Sequence, residues 1–142
     1  MRVAFGTDER TSVTDTVQQA LVELGHEVVV VANPDDWPEV GRRVGEAVAS
    51  GEVDRGVVCC WTGTGVAIAA NKVPGVRAAL CTDAETARGA RRWNDANVLA
   101  FGLRLTSGVV AGEMLEAFLT TEVDAEERAN IERVERRTGP AR

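Results

Sequence analysis

The residues with the most chemical potential stand in one short segment, Cys60-Trp61-Thr62-Gly63-Thr64-Gly65. Glycines let backbone N–H groups turn toward a common point. A helix that starts there adds its positive end, and together they make an anion pocket. A cysteine at the mouth of such a pocket is suited to act as a base or nucleophile, because the pocket favours the thiolate. The competing description is a small buried apolar residue, which most free cysteines are. A Gly-x-Gly loop is too common to decide between the two. Strand alternation turns Cys59 the other way, into the core, and Cys81 reads as structural.

Such a segment needs a scaffold, and the apolar pattern supplies one. Val3-Ala4-Phe5, closed by Gly6, predicts a first strand. Val13, Val17, Ala20, Leu21 and Leu24 recur at helical spacing up to Gly25. Val28 to Ala32 is a β-branched run that reads as a strand buried on both faces. A helix is expected from about Pro38 to Ser50, a third strand from Gly56 to Cys60, and a small-residue helix from the glycine loop through Asn71. Arg77 to Leu80 predicts strand four, and Asp83 the N-cap of a helix to about Trp93. Val98 to Phe101 is strand five, and helices from about Val109 to Leu119 and from about Asp124 to Arg136 follow. The glycines are expected at element ends. This alternation predicts an α/β fold in one domain, 1–142. It has three layers, with a five-stranded parallel, Rossmann-like sheet, helices on both faces and an extra C-terminal helix. Ligands in open sheets of this kind sit beyond the carboxyl ends of the strands. Those ends are Gly6-Thr7-Asp8-Glu9, Cys60 to Gly65, Cys81-Thr82-Asp83 and Gly102 to Arg104.

Composition narrows the function. The 142 residues carry 22 acids against 16 bases, a net charge of −6, which argues against a general nucleic-acid binder. His26 is the one histidine, so an enzyme that needs two histidines for proton transfer is excluded. Its place after Gly25 makes it a surface or cap residue. Three cysteines, two of them adjacent, are no disulfide framework; they predict free thiols in a reducing cytosol, hence a cytoplasmic protein. No apolar run reaches membrane-span length, and Met1 to Phe5 is too short for a signal peptide. No His/Cys/Asp/Glu cluster has metal-ligand spacing, so neither metal nor other cofactor is expected.

Longer stretches carry a resemblance. Cys60-x-Thr62-Gly63-x-Gly65, the run from Ile68 through Asn71-Lys72-Val73-Pro74-Gly75-Val76-Arg77 to Cys81, and Asn94-Asp95-Ala96-Asn97-Val98-Leu99-Ala100 are present. Together with Gly6-Thr7-Asp8, Leu24 to Val28 and Asp36-Trp37-Pro38, they closely resemble the ribose-5-phosphate isomerase B family, which includes the galactose-6-phosphate isomerase subunits. The resemblance implies a metal-free aldose–ketose isomerase of small phosphorylated sugars. Cys60 would move a proton through an enediolate, and Thr62, Gly63 and Gly65 would hold the enediolate oxygen. Asp8 and Asn94 would bind sugar hydroxyls, and C-terminal arginines the phosphate. It also implies a homodimer with shared active sites, the C-terminal helix (about 124–137) packing on the partner subunit. Whether dimers pair into tetramers is left open.

Three positions depart from the family pattern. Glu9 stands where a His usually follows the Asp, Trp93 where a His usually precedes Asn94, and Trp61 where a Gly usually follows the Cys. Glu9, Trp61 and Trp93 are therefore counted with the substrate-binding residues. Opening a furanose needs acid–base help of the kind His supplies near neutral pH, and Trp cannot give it. A substrate other than cyclic ribose 5-phosphate is expected, such as an open-chain tetrose or tetrulose phosphate. Arg133 matches a family arginine by its following Val134, Arg128 is one residue out of register, and Arg137 is a weaker candidate. Arg91 and Arg92 are expected to be solvated, and Trp37 to stand near the pocket. Two alternatives remain: a non-catalytic sugar-phosphate-binding or regulatory subunit with the same fold, and an epimerase or dehydratase using the same thiolate.

Overall fold

The computed structural model describes residues 1–136. Arg137, the last residue of the expected C-terminal helix, lies outside them. Five strands, β1 (Arg2–Thr7), β2 (Glu27–Ala32), β3 (Arg55–Cys60), β4 (Ala78–Leu80) and β5 (Val98–Gly102), form one parallel sheet in the order β2-β1-β3-β5-β4. The helices α1 (Ser12–Glu23), α2 (Trp37–Ala49), α3 (Thr64–Asn71) and α4 (Ala84–Asn94) connect them. After β5 come α5 (Gly108–Thr120), a 3-10 turn (Ala125–Glu127) and α6 (Arg128–Glu135). The expected α/β sandwich with a parallel five-stranded sheet is what the chain forms.

Strand order decides which helix covers which face. From β1 the chain steps outward to β2 and then back past β1 to β3. Right-handed crossovers therefore put α1 and α2 on opposite faces. Phe5, Leu21, Leu99, Phe101, Met114 and Phe118 fill the face under α1, α4 and α5. Ala4, Val40, Val44, Val58, Val66 and Ala70 fill the face under α2 and α3. The reversal between β1 and β3 leaves a crevice beyond their carboxyl ends, the usual place for a ligand in an open sheet.

Four expectations change. β2 is an edge strand, not one buried on both faces, and Val30 keeps 47% of its surface exposed. A run of valines suits a half-buried edge as well as a central strand. Glycines are not confined to element ends: Gly41 and Gly45 lie within α2, Gly89 within α4 and Gly112 within α5. A Cβ on Gly41 would stand 2.5 Å from Ala69 Cβ and 2.7 Å from the Val66 carbonyl oxygen, so this glycine lets α2 and α3 touch backbone to backbone. Strand four starts at Ala78, because the Arg77 N–H is taken by Asn97 Oδ1 at 2.8 Å. The C-terminal helix begins as a 3-10 turn and becomes α-helical only at Arg128. Among the described residues no helix is long and apolar enough to cross a membrane.

Candidate active site

The crevice is built from the carboxyl ends of three neighbouring strands. Thr7 pairs with Cys59 and Cys60 with Gly102. Asp8, Cys60 and the loop after β5 therefore stand side by side, each about 4.8 Å from the next strand. Alternation puts Cys59 in the core under α1, α4 and α5, and Cys60 on the opposite face, 5% exposed. Burial pushes the Cys59 thiol up to about 12 and the Cys81 thiol to about 11. Burial thus disfavours the reactive thiolate at both.

The loop after Cys60 is held by backbone contacts. The N–H of Leu103 donates to the Cys60 carbonyl at 2.9 Å, and that of Arg104 to the Trp61 carbonyl at 2.9 Å. Gly63 is the N-cap of α3 with φ +77, and a Cβ there would stand 2.6 Å from the Phe101 carbonyl carbon and 2.8 Å from Gly102 N. Only glycine fits this turn. No side chain caps α3, whereas Thr11, Asp83 and Ser107 cap α1, α4 and α5. The first N–H groups of α3 are thus left for an anion or a developing oxyanion. Gly65 follows within that first turn, and the Trp37 ring lies against it, so near that a Cβ would meet Cε3 at 2.9 Å. Thr62 Oγ1 and Thr64 Oγ1 are hydrogen-bonded at 2.7 Å.

Asp8 follows β1 and is next in register to Cys60. Its Oδ1 is buried and has no hydrogen-bond partner among the described residues. Burial, then the neighbouring Glu9 charge, hold its carboxyl above the ordinary 3.8. A buried acceptor without a donor is open to one from a ligand. Glu9 stays at this end of the sheet because Thr7 Oγ1 bonds its backbone N–H and carbonyl, at 3.2 and 2.7 Å. Trp61 is 52% exposed and borders a cavity of about 340 Å³ with Thr62, Leu80, Arg104 and Leu105. Arg104 was legible as a strand end but not as a site residue. Its guanidinium has no ion pair or hydrogen bond among the described residues, and its place on this wall is set by the Trp61–Arg104 backbone bond, which sequence does not display.

The remaining expected residues lie elsewhere. Trp93 and Asn94 are at the end of α4, which returns the chain to the amino end of β5. A five-residue strand separates that end from Gly102 and Cys60, roughly 15 Å. Trp93 and Asn94 line a groove of about 700 Å³ with Asn71, Arg77, Asn130 and Ile131. Arg133 lies on the neighbouring wall of α6, with Asn130 and Arg136. Arg128 begins α6 and is exposed. Arg92 is exposed, as expected, but Arg91 is a correction. It is 1% exposed, bonded to Asp95 Oδ1 at 2.8 Å and to the Ala96 and Thr121 carbonyls, with the Phe118 ring 5.8 Å away. Paired and hydrogen-bonded, a guanidinium can be buried. Among the described residues no group of three or more His, Cys, Asp or Glu side chains could hold a metal.

Comparison with known proteins identifies the family. The ribose/galactose isomerase family model matches residues 3–136. The chain belongs to the ribose/galactose isomerase family. It is 38% identical over 128 residues to ribose-5-phosphate isomerase B of Escherichia coli, covering 87% of this chain and 86% of that one. It is 33% identical over 130 residues to D-erythrulose-4-phosphate isomerase of Pectobacterium atrosepticum, covering 87% and 86%. The solved ribose-5-phosphate isomerase B of Clostridium thermocellum superposes with a TM-score of 0.90 at 37% identity, covering 96% of each chain. Members of this isomerase family act on small phosphorylated sugars.

Proposed function

We propose that this chain interconverts an aldose and a ketose phosphate through an enediolate, with Cys60 as the base. The observation that carries the reading is the crevice itself: Cys60 beside the uncapped start of α3, next in register to Asp8, whose buried Oδ1 has no partner among the described residues. The Cys60 thiolate takes the proton from the carbon beside the carbonyl and returns it to the neighbouring carbon. The N–H groups around Gly63 and Gly65 meet the oxygen on which charge develops, the arrangement that supplies much of such catalysis. The Thr62 hydroxyl, oriented by Thr64, donates to the same oxygen or its neighbour. Asp8 accepts from a substrate hydroxyl, and Arg104 is placed to meet the phosphate on the same wall.

Trp93, Asn94 and Arg133 complete the site from a second copy of the chain, since one chain holds them about a strand length from Cys60. This makes the working unit a homodimer with shared sites. Three buried thiols without a disulfide suit a cytoplasmic setting.

The substrate is a short or open-chain sugar phosphate. His26 sits beside the N-terminal amine, its Nδ1 3.4 Å from Met1 N, at the amino end of the sheet. No histidine of the described residues therefore reaches Cys60 to open a furanose. Trp61 occupies space at the rim that a glycine would leave empty. The resemblance to a D-erythrulose-4-phosphate isomerase supports the same direction. Steady-state kinetics on four- to six-carbon aldose and ketose phosphates test it. A kcat/KM for a tetrulose phosphate well above that for ribose 5-phosphate is expected; the reverse order refutes the substrate assignment. Ligand-dependent thermal stabilisation with no turnover on any of them would favour a binding subunit.

A further inference from the structure

The corner where α4 ends holds a charge network that the reaction does not use. Asp95 caps α4 in the left-handed conformation, φ +47. Its Oδ1 accepts from Arg91 Nη1 at 2.8 Å, its Oδ2 from Arg77 Nη2 at 3.2 Å, and its carbonyl from Arg77 Nε at 2.9 Å. Arg91 also bonds the Ala96 carbonyl through Nη1 and the Thr121 carbonyl through Nε. Arg77 instead sends its Nη1 across to Glu135, in the last turn of α6. One guanidinium thus touches both the residue after Asn94 and the helix that carries Arg133.

Within one chain, few contacts among the described residues fix that helix. α6 buries none of its residues, and the groove of about 700 Å³ separates part of it from the sheet edge. Its approach is tied at Asp124, whose carboxylate meets Arg92 at 3.0 Å and whose N–H donates to the Arg92 carbonyl at 2.8 Å. Its far end is tied through Glu135. Exposed ion pairs hold little, but the Arg77 side chain is only 20% exposed and forks onto three acceptors. We infer that Arg77 is a positioning residue that locks α6, and with it Arg133, to the corner that sets Asn94. The inference rests on the binding roles proposed for Asn94 and Arg133. It makes the second half of the site a single rigid unit, with the anion contact and the hydroxyl contact registered to each other by one side chain.

The test compares Arg77→Gln, Glu135→Gln and the double variant in the full chain. Amide hydrogen exchange across 128–136 is expected to speed up by about tenfold in each single variant. The double variant should go no further, and α3 should be unchanged. KM for the phosphorylated substrate is expected to rise by about tenfold with kcat within about twofold, the signature of misplaced binding groups. Glu135→Gln leaves the Asp95 corner intact, so it reports on the tie even if Arg77→Gln fails to fold. Unchanged exchange across 128–136 overturns the inference, as does a fall in kcat at constant KM. A parent protein that turns over no sugar phosphate refutes the isomerase reading instead, and the exchange comparison then decides the lock by itself.

Discussion

Substituting Gly63 by Ala separates the two demands that the turn after Cys60 makes on its backbone. At φ +77 an alanine carries a left-handed penalty of about 1–2 kcal/mol. Its Cβ would also stand 2.6 Å from the Phe101 carbonyl carbon, 2.8 Å from Gly102 N and 2.6 Å from Leu80 Cδ1. Leu80 can rotate away, but Phe101 and Gly102 are backbone of the inner strand β5 and cannot yield. The loop must move instead, which adds about 1–3 kcal/mol of overpacking. The expected loss is about 2–5 kcal/mol, with the first turn of α3 displaced from Cys60. Gly75→Ala is the control: φ is +86 and a Cβ there meets nothing within 4 Å. It should lose only the backbone penalty, about 1–2 kcal/mol, and keep its activity. Urea unfolding of both variants gives the free energies, and turnover on the best substrate reads the displacement. Gly63→Ala with the stability and rate of Gly75→Ala would refute the argument that contact with β5 shapes the site.

Alkylation by iodoacetamide at about pH 8, followed by mass spectrometry, should label Cys60 and spare Cys59 and Cys81, whose thiols burial keeps protonated; labelling of Cys59 in the folded protein contradicts this. Asp8→Asn should raise the melting temperature at neutral pH while lowering activity, the exchange expected at a functional carboxylate. The sign follows from its raised pKa: the ionised form costs stability above the folded-state pKa, and that cost fades as pH falls through it and is gone below the ordinary 3.8. The gain should therefore vanish by about pH 3, and an equal gain at both pH values refutes this cause. Arg91→Ala, which leaves the Ala96 and Thr121 carbonyls without a donor, should cost about 3–5 kcal/mol. Arg92→Ala, which breaks an exposed pair, should cost less than about 1 kcal/mol. Equal melting temperatures for these two variants would show that burial of Arg91 contributes nothing.

What could be read from sequence was what local chemistry determines. Alternating strand and helix patterns predicted the sheet and its layers, and Cys60 with its glycines marked one half of the candidate site, because strand, turn and helix start are contiguous there. Long-range packing was not readable. The valines of β2 do not reveal that it lies at an edge. Arg91 looks like any helix arginine until Thr121, distant in sequence, accepts its hydrogen bond. Gly41 shows its purpose only when α3 lies against it. Arg104 reaches the wall of the cavity beside Trp61 only because β5 ends beside Cys60. That the site is shared between two copies was implied by the family resemblance alone; within one chain, the length of β5 separates Asn94 from Cys60.

The central claim is that Cys60 moves a proton at the carbon beside a carbonyl. The direct measurement incubates the purified protein and Cys60→Ser with four- to six-carbon aldose and ketose phosphates in deuterium oxide, and follows isotope incorporation by NMR. The account predicts deuterium at that carbon for at least one short-chain phosphate with the parent protein and none above background with Cys60→Ser. Incorporation that persists at the parental rate in Cys60→Ser, or no incorporation into any substrate by the parent, would contradict it.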